Sequence, residues 1–136
     1  MPPSSAYEPW FFVGEGDDDA FATLEGARRT FVGVLRERAV TWPGDPADTS
    51  VLLPEETGFA HPLAVLRVVS RETGVLSHVF GVLYDGQGVL GTEVHEQMYL
   101  PRHGSAAGML RVGGSPTLCA ERTADWLERI LRDPPA

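Results

Sequence analysis

Apolar and polar residues fall along this chain in an order that predicts strands through the middle and a helix on each side. Three apolar, β-branched runs occupy residues 63 to 71, 75 to 84 and 89 to 100, separated by Glu72-Thr73-Gly74 and by Asp85-Gly86-Gln87-Gly88. Both separators have hairpin chemistry, so the runs predict a three-strand antiparallel meander. The middle run is apolar on both parities apart from Ser77 and His78, which places it inside the sheet with much of both faces covered. In the third run Leu90, Val94, Met98 and Leu100 share one parity. Glu93, His95, Gln97 and Tyr99 share a polar side, expected to be the outer face of the sheet.

Flanking patterns extend this centre. Trp10-Phe11-Phe12-Val13, bounded by Pro9 and Gly14, predicts a short first strand. Asp17 to Asp19 supply N-cap candidates, and Phe21, Leu24, Ala27, Phe31, Val34 and Leu35 then recur at helical spacing to about Arg38. Gly26 and Gly33 weaken that helix, and residues 30 to 35 leave a strand open. Residues 42 to 62 hold four prolines and one apolar patch, Val51-Leu52-Leu53, and predict a long loop: a lid, a partner arm or a disordered insert. A further strand is expected over Met109 to Val112. Ser115-Pro116 then marks a helix start, with Ser as N-cap and Pro at the first helical position. Ala120, Ala124, Leu127, Ile130 and Leu131 give this last helix one apolar stripe, flanked by Cys119 and Trp126. Glu128 with Arg132 and Asp125 with Arg129 are spaced as i,i+4 pairs. The expected fold is α+β: a mostly antiparallel sheet of four to five strands built on the central meander and packed by two helices, the last one C-terminal. The 136 residues suit one domain, with tails at 1 to 8 and 133 to 136.

Composition narrows the function classes. An apolar share of 43% supports a folded core. The net charge of −8 is concentrated: residues 1 to 20 carry Glu8, Glu15, Asp17, Asp18 and Asp19, residues 41 to 61 carry Asp45, Asp48, Glu55 and Glu56, and neither segment holds a base. All basic residues are arginine, and Arg28-Arg29 and Arg36 with Arg38 sit on a mixed helix instead of forming a basic stripe. Nucleic-acid binding is therefore disfavoured, because phosphate neutralisation supplies most of that affinity. The opening residues lack a basic and an apolar signal region, and no long apolar run exists, so a cytoplasmic protein without membrane contact is expected. Cys119 is the sole cysteine and falls on the apolar side of a helix, where packing is the expected role.

One string resembles a nucleotide fingerprint: Gly86-Gln87-Gly88-Val89-Leu90-Gly91 is a literal G-x-G-x-x-G. A dinucleotide site also needs a helix opened by the glycines and an acid about 20 residues on. Here the following residues alternate like a strand, and no acid lies between Glu96 and Glu121. The string is expected to be a hairpin turn in which Asp85-Gly86 and Gly88 supply positive φ.

The histidines carry the remaining candidate chemistry. If Tyr84 faces Val89 across the turn, counting back sets Phe80 opposite Glu93 and His78 opposite His95, close enough for two imidazoles to share a metal with Glu93 or Glu96 as carboxylate. No H-x-H or H-E-x-x-H spacing accompanies them, and Ser77 and Ser105 lack a nucleophile elbow. A pocket between the sheet and the Pro-rich loop remains open to a small molecule, since apolar concave sites need no motif. No catalytic set and no cofactor is called for. The sequence favours a non-catalytic protein-interaction module, an acidic accessory, regulatory or inhibitor-like domain. It would engage a protein partner, a second copy included, through Glu93, His95, Gln97 and Tyr99 or through its acidic loops. The alternative is a small enzyme or a metal or small-molecule carrier with its site at His78, His95 and Glu93.

Overall fold

The computed structural model describes residues 10–13, 24, 26–69, 72–95, 99–102 and 107–134. Its elements are helix α1 (Gly26–Ala39), a 3-10 turn (Pro46–Asp48), strand β1 (Thr49–Leu52), the single-turn helix α2 (Pro54–Thr57), β2 (Leu63–Val69), β3 (Leu76–Tyr84), β4 (Gly88–Glu93), β5 (Leu110–Gly113) and helix α3 (Pro116–Arg132). The strands form one antiparallel sheet in the order β1-β2-β3-β4-β5. This is the expected α+β architecture, with the central position of β3 following from its doubly apolar sequence.

Helices α1 and α3 pack on one another and on one face of the sheet. Phe31, Val32 and Leu35 of α1 meet Ala120, Ala124, Leu127 and Ile130 of α3 in a core that also takes Leu66, Phe80, Val82, Tyr84 and Val89 from the strands. Phe31 and Tyr84 stack with ring centroids 4.5 Å apart, so α1 is seated on the end of β3. The start of α3 is as its sequence predicts: Ser115 accepts from Leu118 N–H and Pro116 occupies the first turn. Glu128 pairs with Arg132 along the helix, but Asp125 accepts from Arg38 of α1 in place of the expected Arg129, so one intrahelical pair becomes a tie between helices. The opposite sheet face carries a smaller cluster, Leu63, Val65, Val79 and Val94, overlaid by Phe59 and Tyr99.

Three local expectations change, and one open alternative closes. Residues 10–13 do not form a strand: Phe11 is left-handed (φ 53°) and fully buried, with only Val13 bridging Val51. The Phe11 ring packs edge-on to Trp42, and its N–H donates to Thr49 Oγ1, contacts that a straight strand could not make together. The segment 42–62 is not one loop but contains the edge strand β1. Its Val51 is buried, and Pro46 and Pro54 begin helical turns, where the missing N–H costs nothing. Residues 30–35, open to a strand reading, are helical because Phe31, Val32 and Leu35 bury together on α1; Asp17 to Asp19 lie outside the described residues. The third meander strand stops at Glu93 instead of reaching residue 100. Tyr99 adopts φ 54°, His95 N–H donates to Leu100 O and Arg102 N–H to Glu93 O, so the chain doubles back beside its own strand.

That early stop also settles which face is which. Val89, Gly91 and Glu93 point toward the helices with Phe80, whereas Val94 joins the smaller cluster. The parity was legible but its assignment to faces was inverted, because Trp126 of α3 lies over Gly91 and fills the inner side of β4. The G-x-G-x-x-G string is fully occupied by structure. Gly86 sits at φ +95° in the turn, Asp85 Oδ1 accepts from both Gln87 N–H and Gly88 N–H at 2.8 Å, and a Cβ at Gly91 would lie 2.9 Å from the Trp126 ring. Neither Asp85 nor Gly88 has the positive φ expected of it; a Cβ at Gly88 would come within 2.7 Å of Val112 O on β5.

Candidate functional site

Register brings the first candidate group together. Tyr84 faces Val89 and Phe80 faces Glu93, as counting from the turn predicts. The ladder ends there, so His78 gains no cross-strand imidazole. Its partner is instead the diagonal carboxylate: His78 Nδ1 lies 3.1 Å from Glu93 Oε2, and Arg102 Nη1 donates to the same oxygen at 3.2 Å. Glu93 is 5% exposed, which an unpaired carboxylate would not tolerate; two cationic or donor groups on one oxygen offset its desolvation. Arg102 is doubly fixed, because its backbone N–H also bonds Glu93 O.

His95 is exposed, and together with Ser77, His78 and Arg102 it lines a recess of about 120 Å³. Of the other residues expected on a polar partner face, Glu93 is turned inward, Tyr99 is half-buried with its hydroxyl accepting from Arg67 at 3.2 Å, and Gln97 lies outside the described residues, as do Glu96 and His103. His61 stands apart, its Nδ1 accepting from Arg28 at 2.9 Å. Among the described residues no three His, Cys, Asp or Glu side chains group so as to hold a metal. Cys119 is buried, and burial pushes its thiol up from the ordinary value, which keeps it in the unreactive protonated form.

A second, larger concavity was only partly legible in the sequence. It measures about 410 Å³ and lies between the turn at Pro43 to Asp48, strand β2 and the last turn of α3. Leu66, Val68, Leu131 and Trp10 supply apolar wall, and Asp45, Asp48, Arg67 and Arg132 supply charge, with Arg132 paired to Glu128 at 2.8 Å. Trp10 is held by an edge-on contact with Trp42 at 5.7 Å. Asp45 is committed as the cap of the 3-10 turn, accepting from Ala47 N–H at 2.9 Å. Asp48 has its carboxyl raised above the usual range, first by burial and next by the neighbouring Asp45, with Arg67 acting in the opposite sense. A pocket between sheet and Pro-rich loop was foreseeable from composition. Its actual lining was not, because Trp10, Asp48, Arg67 and Leu131 come from four distant stretches with no shared spacing.

Among the described residues no helix is long and apolar enough to cross a membrane. No protein family, no curated protein and no solved structure matches this chain.

Proposed function

We propose that this protein is a non-catalytic interaction module that engages a protein partner at the cleft between the Pro43–Asp48 turn and β2. The observation that carries this reading is the cleft itself: about 410 Å³, open, apolar on its walls, and bordered by Asp45 and Asp48 of a segment that holds acids and no arginine or lysine. That volume lies within the range of roughly 300–1,000 Å³ typical of binding sites. Two crowded carboxylates on an apolar wall are relieved by an arriving cation, and the Trp10 ring offers a face on which a guanidinium or ammonium can rest. The partner feature that fits is a basic side chain next to an apolar one, presented by a protein segment; the surplus of negative charge would also speed the encounter. Neither a nucleic acid nor a membrane surface shares that chemistry.

The test is a panel of short peptides that differ in charge and in apolar content, titrated against the protein while tryptophan emission is followed. Peptides pairing Arg or Lys with a large apolar residue should bind, and the Asp45→Asn/Asp48→Asn double variant should lose that binding. Equal binding of acidic and basic peptides, or binding untouched in the double variant, would remove the cleft from consideration.

A second reading has its own observation. The bond from His78 to the buried Glu93 fixes one ring nitrogen and leaves the other directed away from the carboxylate, in a recess shared with His95. An imidazole held in this way is suited to ligand binding or proton transfer, as in a small enzyme or carrier.

A further inference from the structure

We propose that the recess beside His78 is an oxyanion site, and that the ligand it takes is a phosphate group. This inference rests on reading the recess as a ligand site, and it is independent of the Trp10 cleft. The chemistry follows from what Glu93 does. A single carboxylate oxygen, on a residue that is 5% exposed, receives both His78 Nδ1 and Arg102 Nη1. Glu93 therefore stands behind the recess as an anchor, while Ser77, His78, His95 and Arg102 form its lining. Among the described residues the lining contains one permanent cation and two imidazoles and no carboxylate.

A metal ion is poorly matched to this set. Its ligands must be acceptors, the guanidinium of Arg102 has none, and that positive charge repels a cation. An oxyanion is well matched. Arg102 uses one of its five N–H donors on Glu93 and keeps a half-exposed fork (side chain 51% exposed) for a second acceptor. Nδ1 of His78 is taken up by Glu93, which leaves Nε2 as the ring nitrogen that can meet a phosphate oxygen. His95 adds a second imidazole from the exposed side. The orientation is set beforehand, because Arg102 is held through both its backbone and its side chain and His78 is braced against Phe80 with ring centroids 6.0 Å apart. At about 120 Å³ the recess has room for one phosphate group and is small beside the roughly 300–1,000 Å³ of sites that take a large ligand body.

The experiment is a titration of the full chain, labelled with nitrogen-15, observing the imidazole and amide signals. Inorganic phosphate, acetate, sodium chloride at matched ionic strength, and zinc chloride are added in separate runs. Phosphate should move the His78 and His95 ring signals saturably, and chloride should not. Arg102→Gln should weaken the phosphate response about tenfold, with Arg102→Lys falling between, and the amide spectrum shows whether each variant keeps its fold. If acetate saturates more tightly than phosphate, the assignment to phosphate is overturned. If only zinc moves the rings, the oxyanion chemistry is overturned while a ligand site remains. If nothing moves them, or if Arg102→Gln and Arg102→Lys respond as the parent does, the proposal fails.

Discussion

Trp126 lies over Gly91 so closely that a methyl group on that glycine would stand 2.9 Å from the indole ring and 3.0 Å from Val82 Cγ2. The last glycine of the G-x-G-x-x-G string is thus a packing position between helix and sheet. Gly91→Ala should cost about 1–3 kcal/mol in chemical denaturation, the usual penalty of overpacking. Gly86→Ala should also destabilise, by about 1 kcal/mol, because its φ of +95° strains any side chain. Neither variant should change the protein's response to inorganic phosphate in calorimetry, since the glycine string packs against Trp126 and β5 and cradles no phosphate.

Glu93, His78 and Arg102 should behave as a unit. Replacing the carboxylate in Glu93→Gln leaves His78 and Arg102 with a weaker acceptor in a buried place, at an expected cost of about 1–3 kcal/mol. A double-mutant cycle of Glu93→Gln with Arg102→Gln in urea should show coupling; strict additivity would mean that the shared oxygen contributes nothing to stability.

Asp48 and Asp85 should respond to pH with opposite signs. The raised carboxyl of Asp48 makes the folded state bind its proton first, so its penalty is present at neutral pH and fades as pH falls through the folded value toward 3.8. Asp85 is lowered by the Gln87 and Gly88 N–H groups, so its stabilisation is present above 3.8 and is lost as pH falls below it through the folded value. Asp48→Asn should match or exceed the parent at pH 7, by about 0.5 kcal/mol at most, with the difference disappearing in acid. Asp85→Asn should be the less stable variant at pH 7. Thermal melts across pH 3 to 7 check both.

The two ties between the long helices should differ greatly in weight. Arg38 and Asp125 are both substantially exposed, so Asp125→Asn should cost about 0–1 kcal/mol and less at high salt. Leu127 is fully buried between α1, α3 and the sheet, and Leu127→Ala should cost about 2–5 kcal/mol. Denaturant midpoints measured at two ionic strengths separate the two effects.

Cys119 should be silent toward thiol reagents in the folded protein. It is fully buried, and its thiol is raised by burial, so labelling should occur only as fast as the chain opens. Rapid labelling without denaturant would contradict the packing of the start of α3.

Local chemistry was enough to place the central hairpins and the last helix. The hairpin signals at 72–74 and 85–88, the Ser115-Pro116 helix start and the apolar stripe of α3 are each decided by neighbours within a few residues, and each appears where its sequence puts it. Counting from one turn also predicted the pairs Tyr84–Val89 and Phe80–Glu93, because register in a hairpin is fixed by its loop. Composition could not locate the reversal after His95, the strand within the Pro-rich segment or the bend at Phe11. Those depend on what a distant element fills: Thr49 receives Phe11, Val13 pairs with Val51, and Trp126 occupies the space over Gly91. The candidate sites belong to this second class. Arg102 meets Glu93 only because the chain turns back, and Trp10, Asp48, Arg67 and Leu131 share a cleft only because helix, turn and strand end at the same corner. Periodicity records which side of its own element a residue occupies, and only packing between elements decides what that side faces.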